Sequence, residues 1–423
     1  MSNSLVPHVY LLATLDTKGA EADFLRQQLQ AAGIRVILVD TGCLGSTDVQ
    51  ADVTSEQLFA AADRSRTELR DLRDRGVAVA QAALGATRLV KQAHDAGELQ
   101  GVMAIGGSAG TTIGTAAMRA LPLGVPKLMV STLASGQVRP YVGDKDILML
   151  NSVVDFAGLN RISRRILTTA GRAMAGMVQS HTPAVHSSPG DSPAVEASES
   201  TDRPLIAATM FGVTTPCVQQ AKAVLEEAGY EVLVFHATGN GGQAMESLIE
   251  EGLIVGVLDI TTTELADELV GGILSAGPNR LTAAGRTGVP QLVSVGALDM
   301  VNFCPRSTVP PQWNDRQFYE HNANVTLMRT TAEECQLLGA EIARKVAAAT
   351  GPTVVMLPAR GVSAIDRAGQ VFDDPNAREA LFTAIKEHAG DVPVLELDCH
   401  INDAEFAVTA ARNLLILIAR RSQ

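Results

Sequence analysis

The chain has 423 residues, of which 46% are hydrophobic and 19% charged, and its formal net charge is -12 at pH 7. This length allows two or three domains with separate hydrophobic cores, and the composition is that of a globular protein rather than a disordered one. The negative charge argues against a sequence-independent nucleic-acid surface or an anionic-membrane surface, although it allows a local basic pocket.

The cysteines and the N-terminal segment indicate a cytoplasmic protein. No CxxC pair occurs among Cys43, Cys217, Cys304, Cys335 and Cys399. Zinc ribbons and disulfide frameworks are therefore not predicted, and a reducing compartment is the default. Asp16 and Lys18 interrupt the first apolar run, and no apolar stretch reaches the ~18 residues that span a bilayer. We expect a soluble, cytoplasmic protein without membrane or nucleic-acid partners.

The second half of the sequence repeats the pattern of the first half. Three pairs of segments match in order: 8–42 with 204–239, 101–118 with 256–272, and 124–136 with 288–300. Two tandem α/β domains related by internal duplication are the simplest explanation. The segment 179–203 is rich in Ser, Pro and Ala and has no apolar period, which predicts a flexible linker between domains at 5–178 and 204–423.

Strands alternate with helices along the first domain. In chain order we predict a strand at 9–13, a helix at 21–32, a strand at 34–39, helices at 55–75 and 77–96, a strand at 102–105 followed by a helix through 118, strands at 127–130 and 147–150, and a helix at 161–177. The second domain repeats this order and adds a strand at 354–357, a helix at 377–389, a strand at 394–397 and a helix at 403–420. This alternation predicts two Rossmann-like domains with mainly parallel sheets.

Three loops that follow strands of the first domain could hold phosphate. In GGSAGTT (106–112), glycines and a helix start would present backbone amides to an anion, and Ser108, Thr111 and Thr112 would add hydroxyl groups. An ordinary tight turn is the alternative, and no lysine follows the last glycine as it would in a Walker motif. In STLASGQ (131–137), the hydroxyl-rich loop again follows a strand.

The remaining loop is ATLDTKG (13–19). Here Asp16 could orient Mg²⁺ or a ribose, Thr17 could bond a phosphate, and Lys18 could neutralise it. The alternative is a helix cap with Lys18 in solvent. Asp40 ends the second strand, where it could hold a ribose or cap a turn. Because the carboxyl ends of parallel strands meet at one edge, the three loops together favour a nucleotide site.

These loops carry a resemblance to a known family. ATLDTKG, GGSAGT, MVSTLASGQVRPYVG (129–143) and NSVVDFAGLNRISRRIL (151–167) resemble the ATP-binding domain family of the tomato mosaic virus resistance protein, which includes largely uncharacterised bacterial and fungal two-domain proteins. The resemblance spans 8–178 and continues through 235–249, 258–269 and 357–374. It implies ATP binding and self-association, at least as a homodimer. The positions that it carries over are Asp16, Thr17, Lys18, Gly106, Gly107, Ser108, Gly110, Thr111, Thr132, Ser135, Gly136 and Arg164. Ala109 stands where glycine is common, which a backbone cradle tolerates.

The corresponding loops of the second domain are not phosphate-like and predict a substrate site. They offer polar groups that could hold a small carboxylated or polar metabolite: Thr238, Gly241, Gly242, Asp259, Thr261, Thr262, Thr263, Asp299 and Arg360. His236 or Glu264 would act as a base. A metal held by His236, His321, Asp259 or Glu264 is conceivable, but no HxxxH or CxxC spacing supports it, so no metal site is predicted.

The leading functional prediction is an enzyme that uses ATP with Mg²⁺, in which Lys18 stabilises phosphoryl charge. One alternative is a non-catalytic, nucleotide-responsive binding protein. The other is a hydrolase or lyase that ATP regulates.

Overall fold

The computed structural model describes residues 6–43, 45–72, 74–136, 138–179 and 203–421. Contacts between Cα atoms divide the chain into two compact units, Met1–Pro193 and Ala194–Gln423. This division falls within the predicted linker, nearly all of which lies outside the described residues.

The first unit is built on a parallel sheet with the strand order β2-β1-β3-β4-β5. Its strands are β1 (His8–Ala13), β2 (Arg35–Asp40), β3 (Gly101–Gly106), β4 (Lys127–Ser131) and β5 (Leu148–Asn151). The sequence predicts a mainly parallel sheet but not its strand order, and the structure confirms the parallel sheet. The register pairs Ala13 with Asp40 and Ile105, and Gly106 with Ser131, so the carboxyl ends of four strands lie level at one edge.

Helices cover both faces of this sheet because the longer ones present an apolar stripe to it. They are α1 (Leu15–Ala31), α2 (Ser55–Ala61), α3 (Arg66–Leu72), α4 (Arg75–Asp95), α5 (Ser108–Arg119), α6 (Arg139–Val142) and α7 (Arg161–Gln179). Leu25 of α1 packs with Leu167 of α7 in one core, and Ala82 of α4 packs with Ile113 of α5 in the other.

Two predicted helices of the first unit have different bounds in the structure. The helix predicted at 21–32 begins six residues earlier, at Leu15. Its first turn is followed by a kink at Lys18 (φ -129°, ψ 21°). The helical stretch predicted at 55–75 is two short helices and the start of α4, and Asp63 between the first two adopts a positive φ of 57°.

The second unit reproduces this topology in the described residues. Its parallel sheet has six strands in the order β14-β13-β9-β8-β6-β7, with β6 (Leu205–Met210), β7 (Glu231–His236), β8 (Ile254–Thr261), β9 (Gln291–Gly296), β13 (Thr353–Pro358) and β14 (Val394–Leu397). From the other end, β7-β6-β8-β9-β13 matches the order of the first unit strand for strand. This match confirms the predicted duplication, and β14 is an additional strand.

A small antiparallel sheet in the second unit was not predicted. It consists of β10 (Met300–Phe303), β11 (Phe318–Asn322) and β12 (Val325–Arg329) in the order β10-β12-β11. The strands are short, and most of β11 is exposed and polar, so the segment has no clear apolar alternation.

The helices of the second unit complete its two faces. They are α8 (Thr215–Glu227), α9 (Asn240–Glu250), α10 (Glu264–Val270), α11 (Ala283–Thr287), α12 (Ala332–Ala347), α13 (Pro375–His388) and α14 (Ala404–Arg421). None of the helices in the described ranges is both long enough and apolar enough to cross a membrane.

Candidate functional site

A cleft of about 830 Å³ opens at the carboxyl edge of the sheet in the first unit. Residues from all three predicted phosphate loops contribute to its wall. The lining residues are Thr14, Asp16, Thr17, Lys18, Cys43, Gly45, Arg75, Val79, Gly107, Ser108, Ala109, Gly110, Thr132, Leu133 and Asp155. The structure therefore brings together loops at 13–19, 106–112 and 131–137, of which the first is distant from the other two in the sequence.

The start of α5 forms one wall of the cleft. Gly107 is the N-cap residue, and the first amides of a helix have no acceptor within the helix. A Cβ atom on Gly106 would lie 2.8 Å from the Cα of Gly110, and one on Gly110 would lie 2.9 Å from the carbonyl oxygen of Ile105, so this tight turn requires both glycines. The Thr111 hydroxyl is buried, donates to the Gly107 carbonyl at 2.8 Å and stabilises the turn from behind.

The start of α1 forms the facing wall. Asp16 Oδ2 accepts a hydrogen bond from the amide of Gly45 at 3.0 Å, and the hydroxyls of Thr14 and Thr17 are 3.1 Å apart. Lys18 Nζ donates to the carbonyl of Phe156 at 2.7 Å. Lys18 thus lines the cleft while it holds a neighbouring loop.

Asp40 supports the cleft without lining it. Its Oδ1 accepts hydrogen bonds from the amides of Gly42 (2.8 Å) and Leu15 (3.2 Å), which links the end of β2 to the start of α1. Burial raises the pKa of this carboxyl, although the two amide hydrogen bonds act in the opposite direction. This position matches the turn-capping alternative for Asp40 rather than a direct ligand contact.

Five other predicted nucleotide residues lie outside the cleft wall, and two of them, Gly106 and Thr111, form part of the turn before α5. Ser135 and Gly136 are exposed in the loop after β4, in which Thr132 and Leu133 are the lining residues. The guanidinium of Arg164 lies 5.1 Å from the centroid of the Phe24 ring.

The sequence reasoning missed Arg75, Cys43 and Asp155. Arg75 begins α4 and resembles an ordinary helix-surface arginine in the sequence. Cys43 follows the strand-end Asp40, a position that could have drawn attention to it. Burial, together with the carboxylates of Asp16 and Asp40, raises the pKa of the Cys43 thiol to about 11, so the thiol is neutral at physiological pH.

In the second unit, the corresponding sheet edge is filled by a buried ion cluster around Arg280. The guanidinium pairs with both oxygens of Asp259 at 2.6 and 2.7 Å, and its Nε donates to Glu264 at 2.6 Å. The other oxygen of Glu264 accepts from the amides of Gly239 (2.7 Å) and Gly242 (3.1 Å). The predicted base and glycine loop therefore satisfy each other inside the protein rather than facing a substrate.

The other predicted substrate residues divide into buried and exposed groups. Thr261, Thr262, Thr263 and Asp299 are buried. Asp299 accepts from the Ser363 hydroxyl at 2.8 Å, and its second oxygen has no hydrogen-bond partner among the described residues. Burial, together with the nearby Asp366, raises the pKa of Asp299.

The remaining predicted residues of the second unit are exposed or half-buried. His236 is exposed and lies edge-on to Phe211, with ring centroids 5.4 Å apart. Thr238 donates to the carbonyl of His236 at 3.3 Å, and a Cβ atom on Gly241 would lie 1.9 Å from that same carbonyl oxygen. Arg360 forms an exposed ion pair with Asp398 at 2.7 Å. Of the predicted base residues, only His236 is exposed.

A buried carboxyl in this unit leads to a pH prediction. Asp267 accepts from Asn302 Nδ2 at 2.7 Å, yet burial raises its pKa from 3.8 to about 7. The folded state then binds more protons than the unfolded state between these values, so the free energy of unfolding should fall as pH rises from about 4 towards 7. Urea unfolding at several pH values, followed through Trp313 in the second unit, measures this slope. We expect a shallower slope for Asp267→Asn, and an unchanged slope would contradict the assignment.

Comparison with known proteins identifies the family. Models for the N-terminal and C-terminal domains of an uncharacterised protein family, UPF0261, match residues 7–183 and 203–418. A UPF0261 protein of Clostridium tetani is 45% identical over 97% of this chain and 99% of its own length. The tomato ToMV resistance protein Tm-1(GCR237) is 40% identical over 96% of this chain but only 55% of its own length. With both domain models and these relatives in agreement, the chain belongs to the UPF0261 family.

Proposed function

We propose that the cleft of the first unit binds a nucleotide, ATP with Mg²⁺. The observation that carries this proposal is the convergence of the α1 and α5 starts on one cleft of about 830 Å³. Helix N-termini and glycine turns bind phosphate through backbone amides and the positive end of the helix dipole. Asp16 and Asp155 both line the cleft and offer carboxylate oxygens, the ligands that Mg²⁺ prefers.

The duplicated second unit supplies an internal comparison. Aligning 101–110 with 256–265 places Ala109 opposite Glu264, and the strand pairs Val102–Lys127 and Val257–Gln291 agree with that alignment. In the second unit, the Glu264 carboxylate provides an anion that Arg280 and backbone amides hold. In the first unit, a methyl group stands at this position and lines the cleft. An external anion would provide the missing negative charge.

A nucleotide-responsive regulatory protein is the second candidate. The observation in its favour is the burial of Glu264, which removes one of the predicted bases from contact with solvent. In the enzyme alternative, the exposed His236 would act as the base on a small carboxylated or polar metabolite. The two candidates share the nucleotide site and differ in whether ATP is consumed.

Titration calorimetry with ATP and AMP, each with and without Mg²⁺, tests the nucleotide site. A Cβ atom on Gly107 would lie no closer than 3.6 Å to another residue, so Gly107→Val should fold while its side chain enters the cleft. We expect ATP to bind at least about tenfold more weakly, a loss of about 1.4 kcal/mol. Gly176→Val is the matched control, because an added Cβ there has nothing within 4 Å.

Wild-type protein that binds neither nucleotide would refute the proposal. If binding occurs, ADP release from the same samples separates the two candidates. Release that is lost in His236→Ala would favour the enzyme. Binding without release in the presence of candidate metabolites would favour the regulator.

A further inference from the structure

The cations beside the cleft have different partners. Lys18 donates to the carbonyl of Phe156, and Glu21 three residues later accepts from the amide of Gly158 at 2.8 Å. These two side chains of α1 therefore hold both ends of one short loop. Since Asp155 next to this loop lines the cleft, Lys18 acts on the site by positioning its wall.

The nearby Arg66 is also engaged. It pairs with Glu56 at 2.9 Å and donates to the carbonyl of Gly45, another residue of the cleft wall. Arg75 differs from Lys18 and Arg66 in its exposure to solvent. It is exposed, begins α4 and lines the cleft together with the first turn of α5.

The second unit indicates where an anion would sit relative to the start of α5. The Glu264 carboxylate lies against the start of α9, on the amides of Gly239 and Gly242, and an arginine holds its other oxygen. The corresponding position in the first unit is that of Ala109 in the first turn of α5, and Arg75 lines the same cleft as this turn.

We infer that Arg75 determines specificity for the terminal phosphate of the nucleotide, an inference that rests on the proposed nucleotide site. Its guanidinium contacts the phosphoryl oxygens at the distal end of the chain, and the amides of Gly107–Gly110 contact them from the other side. An arginine fork suits this role because it presents several donors in one plane to phosphate oxygens. The site thereby distinguishes a nucleoside triphosphate from a monophosphate. Lys18 contributes to the binding of both nucleotides, because it positions a loop of the cleft.

Calorimetric titration of wild type, Arg75→Ala and Lys18→Met with ATP, ADP and AMP in the presence of Mg²⁺ tests this assignment. For Arg75→Ala we expect ATP affinity to fall about tenfold or more while AMP affinity changes less than about twofold, because AMP lacks the distal phosphates. For Lys18→Met we expect the affinities for ATP, ADP and AMP to fall by similar factors. Arg75→Lys should restore part of the ATP affinity, and Arg70→Ala, at an exposed arginine outside the cleft wall, is the control.

The outcomes distinguish failure of the nucleotide site from failure of the role of Arg75. No nucleotide binding by wild type refutes the nucleotide site itself. Binding by wild type with an unchanged ATP affinity in Arg75→Ala overturns the role of Arg75 alone. An equal loss of ATP, ADP and AMP in that variant also overturns it, because the residue would then support the cleft as a whole.

Discussion

Replacing Arg280 with methionine is expected to destabilise the second unit by about 3–5 kcal/mol, the usual cost of removing one partner from a buried ion pair. Arg280 is 1% exposed and holds Asp259 and Glu264 with hydrogen bonds of 2.6–2.7 Å. Without the guanidinium, these two carboxylates remain in a region that excludes water. They must then either bind protons or draw solvent into the core.

Urea unfolding followed through Trp313, the single tryptophan of the chain, measures this loss in the second unit. Arg286→Met is the matched control, because the Arg286–Glu250 pair has side chains 62% and 50% exposed. Exposed ion pairs contribute about 0–1 kcal/mol to the free energy of unfolding. Equal effects of the two substitutions would show that the Arg280 cluster does not support the fold.

Replacing Ala109 with glutamate is expected to weaken nucleotide binding strongly in the first unit. The substitution places a carboxylate at the position that Glu264 occupies in the second unit, so the protein would supply its own anion to the cleft. Repulsion between this carboxylate and the phosphates should weaken ATP binding by roughly a hundredfold, or about 2.7 kcal/mol. An acidic residue in the first turn of α5 is compatible with the helix dipole, so the unit should remain folded.

Ala109→Gln separates charge from size in this experiment. Glutamine has nearly the same volume as glutamate but is neutral, so we expect it to weaken ATP binding much less. Thermal unfolding of both variants checks that the first unit is intact. Equal losses for glutamate and glutamine would mean that the cleft is merely blocked, and wild-type affinity in Ala109→Glu would place the phosphates elsewhere.

The sequence predicted the frame of the candidate site well. Parallel strands have near-continuous apolar runs, and their carboxyl ends share one edge, so local patterns were sufficient to place the loops at 13–19, 106–112 and 131–137 together. The features that the sequence did not predict also have physical causes. The small sheet β10–β12 has a polar exposed strand, and the early start of α1 depends on the Asp40 carboxylate from another strand holding the Leu15 amide.

The sequence by itself determined that the chain contains two like α/β units and that their loops after matching strands differ in chemistry. Only the tertiary structure decided what those side chains do. It pairs Lys18 with the carbonyl of Phe156, 138 residues away, and Glu264 with Arg280 inside the second unit. Periodicity reports which face of an element is buried, but the partner of a long polar side chain depends on which distant segments the fold brings within about 3 Å. For this reason Glu264 reads as a base in the sequence and is a buried, paired anion in the structure.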